Sequence, residues 1–529
     1  MAQVADVVIV GAGSAGCVLA ARLSEDPTLR VVLLEAGPDY PDAATLPEDL
    51  ADGWRPAYTH DWGYASEPGG AVASIPLPRA RVVGGCSATN ASFALRGAVE
   101  DYDRWAALGN PGWSFEEVLP AFRRLEHDLD FPEAGWHGAD GPLPVRRYHD
   151  EEIDPVQRAF LEATVALGDG RVEDHNRPGA VGVGKIPANA IDGQRVSNAR
   201  AYLDAARGRP NLVVRPRALV DRVVLRDGRA AGVRLAEPAE TVEGGLVILS
   251  AGAYGSPATL LRSGIGPAEE LSALGIAVAA DLPGVGRNLQ DHPLAVLTFP
   301  VAETFAGPGY ATVATWRSGL AYEDEPYDMH LFCNGPFEAD PGSGGLAGAP
   351  PPEVWGALVA CVMRPRSRGW VRLRSTDPDD PPRIHPAHLE HPEDLSRIVE
   401  GVRRARSVLR TEPLAGLAMG PEHPPWREVD DEDRAALERV ARTGVGTYHH
   451  PVGTCRMGAD PQGGAVVDAS CRTHGIEGLM VVDASVIPEI PAANTNLPTI
   501  MVAERVSSRL GRGSGNEGST HPRAAHRGS

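Results

Sequence analysis

The 529-residue sequence predicts an α/β fold (α+β overall) shared between two closely associated domains. Three observations carry that expectation. A β-branched run at residues 4–10, a glycine-rich turn and a helical stretch open a βαβ unit at the N-terminus. Apolar strand-like runs of the same kind return far along the chain, within 242–253 and 479–488. Between them, from about 295 to 430, the pattern changes to short strands, loops and proline-rich stretches. A chain of this length also exceeds what one compact core usually needs.

Taken in order, VADVVIV at 4–10 is a buried strand, GAGSAG at 11–16 a tight turn, and CVLAARLSED at 17–26 the helix that follows. RVVLLEAG at 30–37 supplies the second strand. Residues 38–105 mix Pro, Gly and polar residues over a length that marks a functional connection rather than a plain loop. Helical spacing appears at 113–126 and 155–167. Residues 209–235 alternate as strands with a hairpin turn at Asp227-Gly228-Arg229, and 242–253 gives another buried strand. After the irregular 295–430 stretch, which includes GSGGLAGAPPPE at 342–353, the strand at 479–488 precedes a helix at 498–510. The expected division is therefore discontinuous: 1–150, 209–294 and 446–510 in the first domain, 151–208 and 295–445 in the second. A polar tail without apolar periodicity, 511–529, is expected to be disordered. The sequence shows no internal repeat.

Composition narrows the function classes. With 43% hydrophobic and 23% charged residues the chain resembles an ordinary globular protein, and its 60 Gly and 47 Pro follow no fixed period. A net charge of −20 argues against a nucleic-acid backbone as partner. Lys185 is the only lysine, so arginine carries the positive charge, as in GC-rich coding. The N-terminal stretch lacks a basic leader region, and no apolar run approaches the ~20 residues that span a bilayer. A cytoplasmic protein without a membrane span is expected. Six cysteines without CxxC spacing are expected to be free thiols.

Gly11, Gly13 and Gly16 form G-x-G-x-x-G between a strand and a helix. The first glycine allows the tight turn, the second lets a pyrophosphate approach the backbone, and the third allows close helix–strand packing. The helix N-terminus, at Ser14, favours the phosphate charge. Glu35 closes the second strand, where an acid accepts ribose hydroxyls and disfavours a 2′-phosphate. The fingerprint by itself does not separate FAD from NAD.

Further segments carry a family resemblance. RARVVGGCSATNASFALRG at 79–97 and GAYGSPATLLRSGIGP at 252–267 resemble the two signatures of the glucose–methanol–choline (GMC) oxidoreductases. YHHPVGTCRMG at 448–458 and VVDASVIPEIPAANTNLPTIMVAE at 481–504 resemble the C-terminal pair, with RPNL at 209–212 and LPGVGRNLQDH at 282–292 in support. The resemblance runs from about residue 4 to 510 and is weak only over 295–430. It implies FAD in a doubly wound Rossmann-like domain, a substrate domain built on an antiparallel sheet, and oxidation of an alcohol or sugar. It implies that His450, in H-x-x-G-T, is the active-site histidine and that Asn496 occupies the position of its partner. Arg81, Gly84, Gly85, Ser87, Asn90 and Ala91 fall in the segment beside the pyrophosphate and flavin ring. Asp483 and Ala484 fall near the ribityl chain, Pro498 and Thr499 follow Asn496, Ala36 follows Glu35, and the Val220 backbone meets adenine. Thr89 stands where some members carry the histidine that binds FAD covalently, so non-covalent FAD is expected.

Moving hydride from an alkanol carbon to flavin N5 requires the hydroxyl proton to leave too, and a histidine has the pKa to take it. His450 is assigned that work and Asn496 the orientation of the substrate oxygen, with neighbouring His449 as pocket wall. His292 is expected to be structural or close to the cofactor, with no catalytic part. His385, His388 and His391 lie three apart, but Pro386 and Pro392 argue against one helical face, and no metal is expected. Trp62, Trp316, Tyr310, Phe332 and Trp355 are candidate walls for a cationic amine substrate. The electron acceptor, oxygen or another, stays open. So do a hydroxynitrile lyase chemistry on the same fold and a role in handing electrons to another carrier.

Overall fold

The computed structural model describes residues 4–69, 74–338, 354–423 and 425–513. The proline-rich stretch at 342–353 and the tail beyond 513 lie outside the described residues. Strand β1 (Ala5–Val10), helix α1 (Ser14–Leu23) and strand β2 (Val31–Leu34) form the expected βαβ unit, with β1 and β2 paired in parallel. Strand Leu212–Arg215 extends the sheet beyond β2, and Thr241–Leu249 lies along the other side of β1. Leu479–Val481 pairs in parallel with the C-terminal half of Thr241–Leu249. Five parallel strands thus come from four distant segments, and the hairpin Val220–Arg226/Arg229–Leu235 pairs antiparallel with the other half. β-branched and leucine-rich strands suit this position because both faces are covered. Val8, Ile9, Val31, Leu33, Val247, Ile248 and Leu249 are wholly buried.

The second sheet has seven strands in the order 446–447, 293–301, 354–362, 329–338, 310–316, 182–185, 171–172. All its pairs are antiparallel except the last. Side chains alternate across it with the period of two that a strand imposes. Ala295, Leu297, Phe299, Leu331, Cys333, Leu358 and Ala360 face helices Pro155–Ala166 and Pro392–Leu409. Leu294, Val296, Phe332, Ala357 and Val359 face the other way, toward the first domain.

The 295–430 region is more regular than the sequence suggests. It holds four strands of seven to ten residues and an 18-residue helix. Strands apolar on both faces show no alternation to read. Pro392, taken as a helix breaker, is the first residue of that helix, where a missing N–H costs nothing. The C-terminal helix, Asn496–Gly513, likewise outruns the expected 498–510 and enters the segment expected to be disordered.

Candidate active site

A cavity of about 1840 Å³ runs from the βαβ turn to the inner face of the antiparallel sheet. Its first end is made by β1, α1 and β2. A Cβ on Gly16 would lie 1.9 Å from the Gly11 carbonyl oxygen, so only glycine lets α1 approach β1 this closely. Gly13 backs onto Gly85, whose added Cβ would fall 2.5 Å from the Gly13 Cα. Two chains therefore meet without side chains. The first turn of α1 has no side-chain cap, leaving its N–H groups to face an anion. Glu35 accepts from Ala12 N at 2.9 Å and Gly37 N at 2.8 Å, and burial pushes its carboxyl up to about 7. Each of its oxygens keeps a lone pair for a hydroxyl donor.

Most of the expected cofactor residues line this one cavity: Gly11, Gly13, Ser14, Glu35, Ala36, Arg81, Gly85, Asn90, Ala91, Val220, Asp483, Ala484, Asn496 and Thr499. Four do not, and their work is packing. Gly16 sits in the α1–β1 contact, the Gly84 amide donates to Ala12 O at 2.7 Å, and Ser87 Oγ joins Gly84 O to the Asn198 amide. Pro498 lies in the first turn of the C-terminal helix. Asp483 is occupied locally, accepting from Gly252 N, Ser256 Oγ and both donors of Ser485. The cradle of glycines, the uncapped helix and the buried acid match a dinucleotide, and the residues present fit FAD.

At the other end, His450 is buried beneath Tyr448, ring centroids 4.3 Å apart. Its loop is pinned by Asp291, whose Oδ1 accepts from His450 N and His292 N, both at 2.8 Å. Thr447 Oγ1 donates to the other oxygen at 2.5 Å. Burial alone would raise the Asp291 carboxyl; His388, Thr447 and His450 outweigh it and hold the group well below the usual carboxylate range. Burial holds His450 well below 6.5, so the imidazole is neutral. His449 takes a φ of 66° and lines the cavity as expected, its carbonyl accepting from Arg79 at 3.0 Å.

One expectation needs correction. The asparagine against His450 Nε2 is Asn494, with Nδ2 3.2 Å away, and not Asn496. Asn496 points back to the βαβ turn, its Oδ1 accepting from Ser14 Oγ at 2.8 Å. The backbone bends at Thr495 and enters the C-terminal helix at Asn496, so the two asparagines point to different ends of the cavity. His292, expected to be structural or close to the cofactor, lies against the site, its Nδ1 2.9 Å from His450 Nδ1. The Q-D-H ending of LPGVGRNLQDH was the available signal.

The wall beyond His450 is aromatic. Tyr448 stacks on Phe332 at 5.1 Å, and Phe332, Tyr310 and Phe93 meet edge to face at 5.6–6.1 Å. Leu294, Val296, Ala357 and Val359 complete it, with Asn334 and Asp154 farther out. Of the candidate aromatic walls, Trp62, Tyr310 and Phe332 line the cavity, whereas Trp316 and Trp355 do not. His385 pairs with Glu390 and His391 caps the helix at Pro392, so the three spaced histidines go separate ways.

Family models described as GMC oxidoreductase match residues 5–294 and 365–503. The chain is 38% identical to 5-(hydroxymethyl)furfural oxidase of Methylovorus sp. (strain MP688), over 96% of this chain and 98% of the relative. It is 35% identical to oxygen-dependent choline dehydrogenase of Rhizobium rhizogenes, over 96% and 95%. Among solved structures, pyridoxine 4-oxidase from Mesorbium loti superposes with a TM-score of 0.87 at 32% identity, covering 96% of this chain and 99% of that one.

Proposed function

Because the chain belongs to the GMC oxidoreductase family, FAD-dependent enzymes that oxidise alcohols, we propose that His450 is the base that takes the hydroxyl proton of a ring-borne primary alcohol. Bound FAD supplies the hydride acceptor, and the carbinol carbon leaves as a carbonyl. The protein's own part is the proton and the position. His450 is neutral at working pH, so its Nε2 can accept. Asn494 Nδ2, beside that nitrogen, donates to the substrate oxygen and holds it where its proton meets Nε2. An alkoxide-like oxygen is a far better hydride donor, and base assistance of this kind contributes ~10²–10⁴-fold.

The observation that carries the reading is the His450–Asn494 pair at the foot of an aromatic wall. Faces and edges of Phe332, Tyr310 and Tyr448 suit a flat neutral ring. Two similar proteins are named for ring-bearing alcohols, 5-(hydroxymethyl)furfural and pyridoxine. FAD is held non-covalently in this reading, since Thr89 offers no nucleophilic nitrogen, and acid precipitation should release it intact.

The test is anaerobic bleaching of the holoenzyme by benzyl, furfuryl and 5-hydroxymethylfurfuryl alcohols, pyridoxine, choline and glucose. Ring alcohols should reduce it fastest; faster reduction by choline or glucose would overturn the substrate class. His450→Ala should retain FAD and be reduced at least ~100-fold more slowly. Wild-type reduction rates in that variant would sink the base assignment.

A further inference from the structure

His292 is wholly buried, and its ring meets the edge of His450 at 84°, Nδ1 to Nδ1 at 2.9 Å. The contact is fixed from the backbone. Asp291 Oδ1 binds both amides, the Tyr448 amide donates to His292 O at 2.9 Å, and Pro293 pairs with Thr447. That cross-tie holds the two backbones together, and burial confines both rings between them.

Two ring nitrogens at hydrogen-bond distance hold one proton between them. If His450 accepts the substrate proton at Nε2, it becomes an imidazolium that also carries a proton on Nδ1. That proton has one acceptor in reach, His292 Nδ1, which must therefore be bare, with the His292 proton on Nε2. His292 Nε2 is buried without a hydrogen-bond partner, and the nearby carbonyls of Met363 and Pro491 favour a proton on the ring. The charged and titratable groups around the pair are Asp291, Arg364, His330, His388, Tyr448, His449 and Arg79. Asp291 is spent on backbone amides, on Thr447 and on His388, so among the described residues no carboxylate bonds to either ring. Burial outweighs the opposing pull of Asp291 and the two carbonyls and holds His292 down to about 4, so it is neutral.

We propose that His292 is a positioning residue that keeps His450 in the tautomer with Nε2 bare and carries the Nδ1 hydrogen bond of the imidazolium. The arrangement parallels the carboxylate that orients the histidine of a serine-protease triad. Here the orienting group is neutral, so the base is held in register without the strong rise in basicity that a buried anion would bring. No bond is made or broken at His292; the proton gained at His450 Nε2 comes from the alcohol.

The inference rests on His450 being the base, and the experiment separates the two. The holoenzyme and three variants are compared by anaerobic stopped-flow reduction across pH, using the best ring alcohol. His292→Leu removes the acceptor. His292→Gln keeps polarity, but its amide reaches the place of Nε2 rather than Nδ1. His292→Asn puts a carbonyl oxygen where Nδ1 was. The limiting reduction rate should fall roughly ten- to a hundredfold in the Leu and Gln variants. Half-saturation should change little, and the pH midpoint of the rate should move lower because the imidazolium has lost its acceptor. Asn should recover most of both. Wild-type rates and midpoints in Leu and Gln, or equal losses in all three variants with no movement of the midpoint, would overturn the inference. Undiminished reduction of His450→Ala would instead remove the reading beneath it.

Discussion

Asn494 Nδ2 faces His450 Nε2 at 3.2 Å, while Asn496 Oδ1 accepts from Ser14 Oγ at the first turn of α1. Each also keeps one buried polar atom without a protein partner, Asn494 Oδ1 and Asn496 Nδ2, and both residues line the cavity. The two side chains should therefore fail differently. Asn494→Ala should lower kcat/KM about ten- to a hundredfold, the cost of one lost hydrogen bond to a charge-developing oxygen, with FAD content unchanged. Asn496→Ala should instead weaken FAD retention and leave the reduction rate of loaded enzyme within about threefold, since one neutral hydrogen bond contributes roughly 1 kcal/mol. Flavin content by absorbance and single-turnover reduction, measured on both variants, check this. The opposite pattern would return the catalytic partnership to Asn496.

At the scale of elements, the strand–turn–helix β1–α1 makes the cofactor end, and its tolerance is set by backbone contact. In Gly16→Ala the new Cβ would stand 1.9 Å from Gly11 O, which belongs to the turn itself and cannot yield like a side chain. Overpacking of this kind costs about 3 kcal/mol, more than the ~1 kcal/mol alanine gains inside a helix. The variant should lose FAD and unfold at a lower temperature, measured by flavin release and circular dichroism. Retention of FAD with an unchanged midpoint would show that α1 can move off the sheet. The second sheet obeys a different rule. Its long strands use one face for core and the other for the pocket, so substitutions at Leu294 or Val359 alter the pocket, and at Leu297 or Leu358 the core.

The whole molecule depends on ties between segments that the sequence keeps far apart. One such tie is buried and ionic. Arg96 pairs with Glu126 at 2.6 Å, Arg147 with Asp128 at 2.5 Å and Asp174 at 2.6 Å, and His137 reaches Glu126 at 2.9 Å and Asp174 at 3.1 Å. Three carboxylates face two arginines, and a protonated His137 balances the charge. Burial works against that proton, but the hydrogen bonds His137 donates to Asp174 and Glu126 outweigh it and raise the imidazole. A raised histidine stabilises fully below its unfolded pKa, and that contribution is lost as pH rises through the folded value. His137→Gln should cost about 3–5 kcal/mol at pH 6, as for one partner removed from a buried network. The gap from wild type should narrow by pH 9. Denaturant midpoints at the two pH values decide it, and a gap that does not depend on pH would assign His137 a neutral, purely packing role. The arginines occupy the carboxylates that a cation would otherwise take.

What the sequence by itself determined was local. Glycine spacing, strand and helix periods and the acid at Glu35 specify the nucleotide unit because each depends on neighbours within a few residues. The H-x-x-G-T motif likewise singled out His450. Tertiary structure decided what depends on distance through space. It selected Asn494 over Asn496, brought His292 from the end of a distant motif onto His450, and turned an apparently irregular 295–430 into the sheet that walls the pocket. None of these has a local period, since each is fixed by which backbone segments cross, here through Asp291 joining His292 and His450 across more than 150 residues.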